Sequence, residues 1–154
     1  MSVDVEHIVR DMIDLTIHLS LATVSGDAPW VCEVHFAYDD GLNMYFRSLT
    51  SRRHSRDIAS NSKVAGNIVD KHGLEDPVKG LYFEGTAEVL SDTSDKERAN
   101  KVLVERLKIT KDVLEESEDP DGHQFYKISV DNWYVFGDFD GNGAMKHKLE
   151  WGDR

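Results

Sequence analysis

The alternation of apolar and polar residues between positions 19 and 48 is the feature that most restricts the fold. The run LSLATVS is followed by SGDAP and WVCEVHFAY, which is the pattern of two strands joined by a hairpin turn at Gly26 and Asp27. The letters DDG at 39–41 mark a second turn before LNMYFRS, a third strand. Because strands joined by tight turns pair with their sequence neighbours, this region predicts an antiparallel sheet.

The rest of the chain continues the same kind of pattern. A fourth strand is predicted over residues 64–70, and a fifth over 78–90, where Gly85 would allow a bulge. The segments QFYKISV, at 124–130, and WYVFGDF, at 133–139, supply the last two strands. Seven short strands with marginal helices are typical of a small closed or split antiparallel barrel, and we expect one domain over the whole chain.

Apolar residues at helical spacing predict the helices at the margins of this barrel. We expect them at residues 5–17, 55–60 and 95–108. Ser94 and Glu97 form a capping box that would start the third of these helices. The segment KDVLEESEDPD, at 111–121, predicts a short helix followed by an exposed acidic loop.

A cluster of cations lies where the third strand turns into a helix. Four of the chain's arginines are concentrated there, at Arg47, Arg52, Arg53 and Arg56. A helix start presents free N–H groups and the positive end of the helix dipole to an anion. Arg53 and His54 would add donors, with Thr50 or Ser51 as the cap. The turn predicts a phosphate site, with a solvated basic helix start as the alternative.

Charge and cysteine content restrict the partners and the compartment. A formal net charge of −11 argues against nucleic acid or an anionic membrane as the main partner, because a polyanion would be repelled. The single cysteine, Cys32, excludes an internal disulfide and fits a reducing compartment. No apolar run reaches membrane-spanning length and the N-terminus does not resemble a signal peptide, so we expect a cytoplasmic protein.

The sequence predicts no metal site and identifies no catalytic acid or base. The letters DFDGNG imitate the start of a calcium loop with Asp138, Asp140 and Asn142, but Leu149 stands where such a loop needs a bidentate glutamate. An Asp/Gly turn is the better interpretation. The seven histidines show neither HxH nor HExxH spacing.

The order of these segments resembles that of a known family. The segments LATVSGDAPWV, VHFAYDDGLNMYFRS, SRRHSRDIASNSKV and KGLYFEGTAEVLS, which cover roughly half the chain, are similar to the pyridoxamine 5'-phosphate oxidase-like, FMN-binding split-barrel family. The resemblance implies a six- to seven-stranded antiparallel split β-barrel with flanking helices. It also implies a homodimer that binds FMN at the subunit interface.

The resemblance also implies which residues hold the phosphate. The family's basic pair after the third strand falls on Arg53 and His54, with Arg52 as an adjacent candidate. Arg47 and Ser48 occupy positions that contact the cofactor in relatives. Because a histidine replaces the family's lysine, phosphate affinity would depend on pH.

The flavin ring would lie beside the second strand. The resemblance places Val31, Glu33 and Val34 next to the ring, largely through backbone atoms. The chain lacks the Arg-x-His element with which true pyridoxine-phosphate oxidases grip their substrate, so oxidation of vitamin B6 is not expected. The family also contains members that bind F420 or haem.

These observations predict a small flavin-dependent oxidoreductase that acts on an unidentified small molecule. Two alternatives remain open. One is a non-catalytic binder or sensor of FMN, F420 or haem, and the other is a dimeric interaction module whose site is vestigial.

Overall fold

A computed structural model describes residues 2–152 of the chain. Within that part, four helices and eight strands follow one another in the order α1 (Val5–Ile13), β1 (His18–Ser25), β2 (Ala28–His35), β3 (Ala37–Tyr38), β4 (Met44–Ser48), α2 (Arg53–Ser60), β5 (Lys63–Ile68), β6 (Gly80–Val89), α3 (Thr93–Leu107), α4 (Val113–Glu116), β7 (Gln124–Gly137) and β8 (Met145–Glu150).

The strands form a single antiparallel sheet that curls into a split β-barrel, as the sequence predicts. Its order is β2-β1-β5-β6-β7-β4-β3, and β8 lies beside β7. The long strand β7 organises the sheet, since β6 pairs along one of its edges. On the other edge its first half pairs with β4 and its second half with β8.

The predicted irregularity at Gly85 is present, but the extra residue lies on the opposite strand. The register shifts because Glu84 pairs with Asn132 and Gly85 pairs with Val130, which leaves Asp131 without a partner on β6. A Cβ atom at Gly85 would lie 2.1 Å from the carbonyl oxygen of Ser129, so only glycine fits this close approach. The β7 bulge bends the sheet where the barrel curls.

Two groups of buried side chains fill the molecule. The larger lies inside the barrel and includes Phe46 and the fully buried Trp133. The rings of Phe46 and Tyr126 stack there with their centroids 4.9 Å apart. The smaller group packs Leu103 of α3 against Phe125 of β7. It holds α3 against the outside of the barrel, beside the end of β4.

The opening helix is shorter than predicted, because a distant residue fixes the chain that follows it. α1 ends at Ile13, and the Asp14 carboxylate accepts hydrogen bonds from Tyr38 and from Arg106. Arg106 also donates to the backbone oxygens of Ile13 and Thr16. The segment that would have extended the helix is therefore held in a turn.

Two other local predictions are wrong, and one strand was missed. α3 is capped by Asp92, which accepts from the Asp95 N–H at 3.1 Å, so the capping box at Ser94 does not form. The two strands predicted at the end are one strand, since Asp131 forms a bulge inside β7 and not a break. The strand β8 was not predicted, because MKHKLE has little apolar character.

No helix formed by residues 2–152 combines the length and the apolar character that a membrane span requires.

Candidate functional site

A cavity of about 670 Å³ lies where β2, the end of β4, the start of α2 and the end of α3 meet. Small-molecule and cofactor sites have volumes in this range. The cavity is lined by Ile17, Glu33, Val34, His35, Arg47, Ser48, Arg52, His54, Leu103, Leu107, Ile109 and His123.

The start of α2 forms the cationic end of this cavity. Arg52 is the N-cap residue, with extended backbone angles, and no side chain caps the helix. The predicted cap at Thr50 or Ser51 is wrong, because the helix begins one position too late for Ser51 and two positions too late for Thr50. The N–H groups of the first turn therefore lack a side-chain acceptor and are available to an anion.

His54 lies in the first turn of α2 and is half-buried. Its Nε2 and the Ser48 Oγ share a hydrogen bond of 2.8 Å. Burial lowers the pKa of His54 below its ordinary value of 6.5, and the charge of Arg52 lowers it further, while Asp57 partly offsets both. The imidazole is therefore mainly neutral at pH 7 and gains its charge only at lower pH.

A buried contact fixes α2 against the barrel. The Asp57 side chain is almost fully buried and accepts a hydrogen bond of 2.8 Å from the Thr23 hydroxyl on β1. Ile58 packs into the barrel core on the same side of the helix. These contacts hold the basic first turn rigidly at the mouth of the cavity.

One carboxylate gathers three basic side chains at the opposite side of the cavity. Arg47 Nη2 lies 2.9 Å and Lys111 Nζ 3.3 Å from Glu116 Oε2, while His123 Nδ1 lies 2.9 Å from Oε1. Partial burial alone would raise the pKa of Glu116, but the hydrogen bonds from His123 and Lys111 and the charge of Arg47 outweigh it and lower the pKa to about 2. Glu116 is therefore ionised at neutral pH.

The end of α3 supplies an apolar wall. Leu103 and Leu107 lie one helical turn apart and face the cavity. Lys108 ends the helix with a left-handed φ of 56°, and Ile109 then returns to the same wall. The cavity thus joins a cationic end to an apolar side, which suits a flat ring compound that carries an anionic group.

Six of the eight residues predicted to hold the cofactor line this cavity: Glu33, Val34, Arg47, Ser48, Arg52 and His54. Glu33 also pairs with His18, whose Nδ1 lies 2.8 Å from its carboxylate. The other two do not line it. The Arg53 guanidinium lies over the Trp30 ring, 4.2 Å from its centroid, and Val31 is 61% exposed on β2.

Sequence reasoning missed the other side of the cavity. Leu103 and Leu107 belong to the apolar spacing that predicts the helix at 95–108, but nothing in that pattern distinguished a cavity wall from core. His35 and His123 also line the cavity. His123 follows an acidic loop and has no motif around it, so no local signal could have identified it.

The described residues contain no group of three histidine, cysteine, aspartate or glutamate side chains placed to hold a metal ion. The DFDGNG segment forms a turn in which the carboxylates bind backbone. Asp138 accepts from the Gly141 N–H at 2.7 Å, and Asp140 accepts from the Asn142 N–H at 2.9 Å.

Comparison with known proteins relates this site and fold to one family. The sequence pattern described as pyridoxamine 5'-phosphate oxidase matches residues 6–137. No protein of curated function matches the sequence.

Several solved structures are similar in fold. A haem-binding protein from Mycobacterium smegmatis has a TM-score of 0.73 at 16% identity, over 94% of this chain but only 57% of its own length. A candidate pyridoxamine 5'-phosphate oxidase from Listeria innocua has a TM-score of 0.65 at 22% identity, over 86% of this chain and 98% of its own. An FAD-binding protein from Mesorhizobium loti has a TM-score of 0.63 at 20% identity, over 88% and 94%. At these identities the similarity establishes the fold alone.

Proposed function

Because the chain belongs to the pyridoxamine 5'-phosphate oxidase family, we propose that it binds FMN and acts as a small flavin-dependent oxidoreductase. The observation that carries this proposal is the cavity, in which a cationic helix start and an apolar wall face one space. FMN has the matching parts, a phosphate and a flat ring. When bound, it supplies the hydride-transfer chemistry, and the protein supplies binding and orientation.

The phosphate end of the ligand belongs at the start of α2. Arg52 and the N–H groups of the first turn would donate to the phosphate, and protonated His54 would add a further charge. Ser48 positions the His54 ring through the hydrogen bond between them. Arg53 would contribute to the general positive potential, since its guanidinium packs on Trp30.

The ring end of the ligand belongs between β2 and α3. Val34 would cover one face of the ring, and Leu107 and Ile109 across the cavity would keep water from the space beside the other face. Arg47 lies at the same end, with its Nε buried and without a hydrogen-bond partner among the described residues. A positive group there favours a ring that gains negative charge on reduction.

We further propose that two chains form a homodimer with the cofactor at their interface. In support, β2 is the terminal strand of the sheet order and lies next to the cavity. It exposes two large apolar side chains, Trp30 at 40% and Val31 at 61%. A second subunit would cover these side chains and bring Val31 closer to the ligand.

A non-catalytic haem carrier or sensor is the second candidate. The cavity is lined by three histidines, His35, His54 and His123. A histidine ring nitrogen is a common axial ligand of haem iron. A Soret band after incubation with haem, together with no uptake of flavin, would support this alternative.

The absorption spectrum of the purified protein and a fluorescence titration test the flavin proposal. We expect FMN to bind, and riboflavin, which lacks the phosphate, to bind more weakly by roughly tenfold or more, because charge-assisted contacts are lost. Turnover with NAD(P)H in the loaded protein would distinguish an oxidoreductase from a carrier. Failure to take up FMN, or equal affinity for riboflavin, would contradict the proposed site.

A further inference from the structure

His123 is held in a defined orientation at the edge of the cavity. Its Nδ1 lies 2.9 Å from Glu116 Oε1, and its backbone N–H points to the same oxygen at 3.5 Å. The other carboxylate oxygen receives Arg47 at 2.9 Å and Lys111 at 3.3 Å. Glu116 is thus fixed from both sides, and the imidazole ring is fixed through it.

This arrangement determines which ring nitrogen carries the hydrogen. Two cations hold Glu116 in its ionised form, and an ionised carboxylate can only accept hydrogen bonds. The hydrogen between the two groups must therefore belong to Nδ1 of His123. In the neutral imidazole, Nε2 then carries a lone pair and is an acceptor.

The His123 side chain is part of the cavity wall. It lines the cavity together with Leu103, Leu107 and Ile109. Its side chain is 40% exposed, and across residues 2–152 no group forms a hydrogen bond with Nε2. The cavity therefore offers one oriented acceptor beside an apolar wall.

We propose that His123 is a specificity residue that accepts a hydrogen bond through Nε2 from the O–H or N–H of a flat, largely apolar substrate packed on the α3 wall. Glu116 is the positioning residue that keeps Nε2 free of hydrogen. The inference rests on the proposed function in taking this cavity as the substrate site, but it does not depend on the identity of the cofactor. It names the substrate class as aromatic compounds with a hydrogen-bond donor, such as phenols and aromatic amines.

The tautomer can be read directly by NMR of protein labelled with ¹⁵N-histidine and free of flavin. At about pH 8 the His123 signal, identified by its loss in His123→Phe, should be that of the Nδ1–H form. In Glu116→Gln, whose amide can donate as well as accept, the Nε2–H population should rise. An Nε2–H form in the wild-type protein, or a population unchanged in Glu116→Gln, would overturn the inference.

Binding of phenol and of anisole tests the acceptor role, because the two probes share a ring and differ in the O–H. Wild-type protein should bind phenol more tightly by roughly twofold to tenfold, the effect of one neutral hydrogen bond. Phenol should also shift the His123 Nε2 resonance. The preference should disappear in His123→Phe and persist in His72→Phe, an exposed histidine that is not among the cavity residues.

Equal affinity for the two probes, a preference that survives His123→Phe, or no Nε2 shift with phenol would refute the role of His123. Triple-resonance NMR can also assign the His123 ring signal in the wild-type protein, so the resonance shift remains a decisive test if His123→Phe fails to fold. These measurements require no flavin. A protein that takes up no FMN but shows the phenol preference would refute the proposed cofactor and leave this inference standing. A protein that takes up FMN but shows no phenol preference would refute this inference and leave the proposed cofactor standing.

Discussion

Arg52 and Arg53 are adjacent in the sequence, but their side chains have different surroundings. Arg52 lines the cavity, whereas Arg53 packs on the ring of Trp30. A strand-to-helix turn with several arginines predicts an anion site. Only the rotation of the helix start determines which of them faces the anion, and that rotation depends on buried contacts such as the one between Asp57 and Thr23.

We therefore expect Arg52→Ala to weaken FMN binding by about 1.5 to 3 kcal/mol, because a charge-assisted hydrogen bond to the phosphate is lost. Riboflavin affinity should not change, and Arg53→Ala should have a smaller effect on FMN. Arg56→Ala, a neighbouring exposed arginine on α2 that is not among the cavity residues, is the matched control. Fluorescence titration measures all four proteins, and a larger effect of Arg53→Ala than of Arg52→Ala would contradict the assignment.

His54 should make FMN affinity depend on pH. In the free protein its pKa is below 6.5, chiefly through burial, so the ring is neutral near pH 7. A bound phosphate would favour the imidazolium and raise this pKa, so binding takes up a proton. FMN affinity should rise as the pH falls from the raised pKa of His54 in the complex to its lowered pKa in the free protein. Above both pKa values the contribution of His54 should not change with pH.

His54→Gln provides the control for this titration, because the phosphate of FMN itself ionises near neutral pH. Subtracting the profile of the variant leaves the contribution of the imidazole. Identical profiles for the two proteins between about pH 5 and pH 8 would show that His54 does not meet the phosphate.

Among the elements, the pairing of β6 with β7 requires a glycine at position 85. A Cβ at Gly85 would lie 2.1 Å from the Ser129 oxygen, which is backbone and cannot turn aside. We expect Gly85→Ala to lower the free energy of unfolding by roughly 1 to 3 kcal/mol, as overpacking does. The control is Gly73→Ala in an exposed loop, where the nearest atom is 3.5 Å away. Urea denaturation compares them, and equal midpoints would contradict the expectation.

The same elements show how far sequence reasoning extends. Alternation and turn residues predicted most strands of the barrel, because these signals are local, but they missed β8 and divided β7 in two. The end of α1 could not be predicted, since it depends on Arg106, which binds Asp14 from across the molecule. The cavity wall on α3 could not be predicted either. Apolar spacing indicates which side of a helix faces inward, but not whether a neighbouring element fills the space.

For the molecule as a whole, we expect a dimer of 17.5 kDa chains in sedimentation equilibrium. Val31→Asp should raise the dissociation constant of that dimer by roughly tenfold or more, because a charge would be buried in the interface. Leu74→Asp is the matched control, since Leu74 is fully exposed in the loop before β6. A wild-type protein that is monomeric in sedimentation equilibrium and still binds FMN would contradict the proposed interface.

The central position of β7 has a consequence for how the chain is made. The strand β4, at residues 44–48, pairs early with the short β3 on one edge, but its other edge finds a partner only in residues 124–128. During synthesis on the ribosome, the outer edge of the β3–β4 hairpin therefore remains unpaired while about half of the polypeptide is still being translated. Barrel closure becomes a late event of biosynthesis, and the nascent chain must be protected from self-association until then.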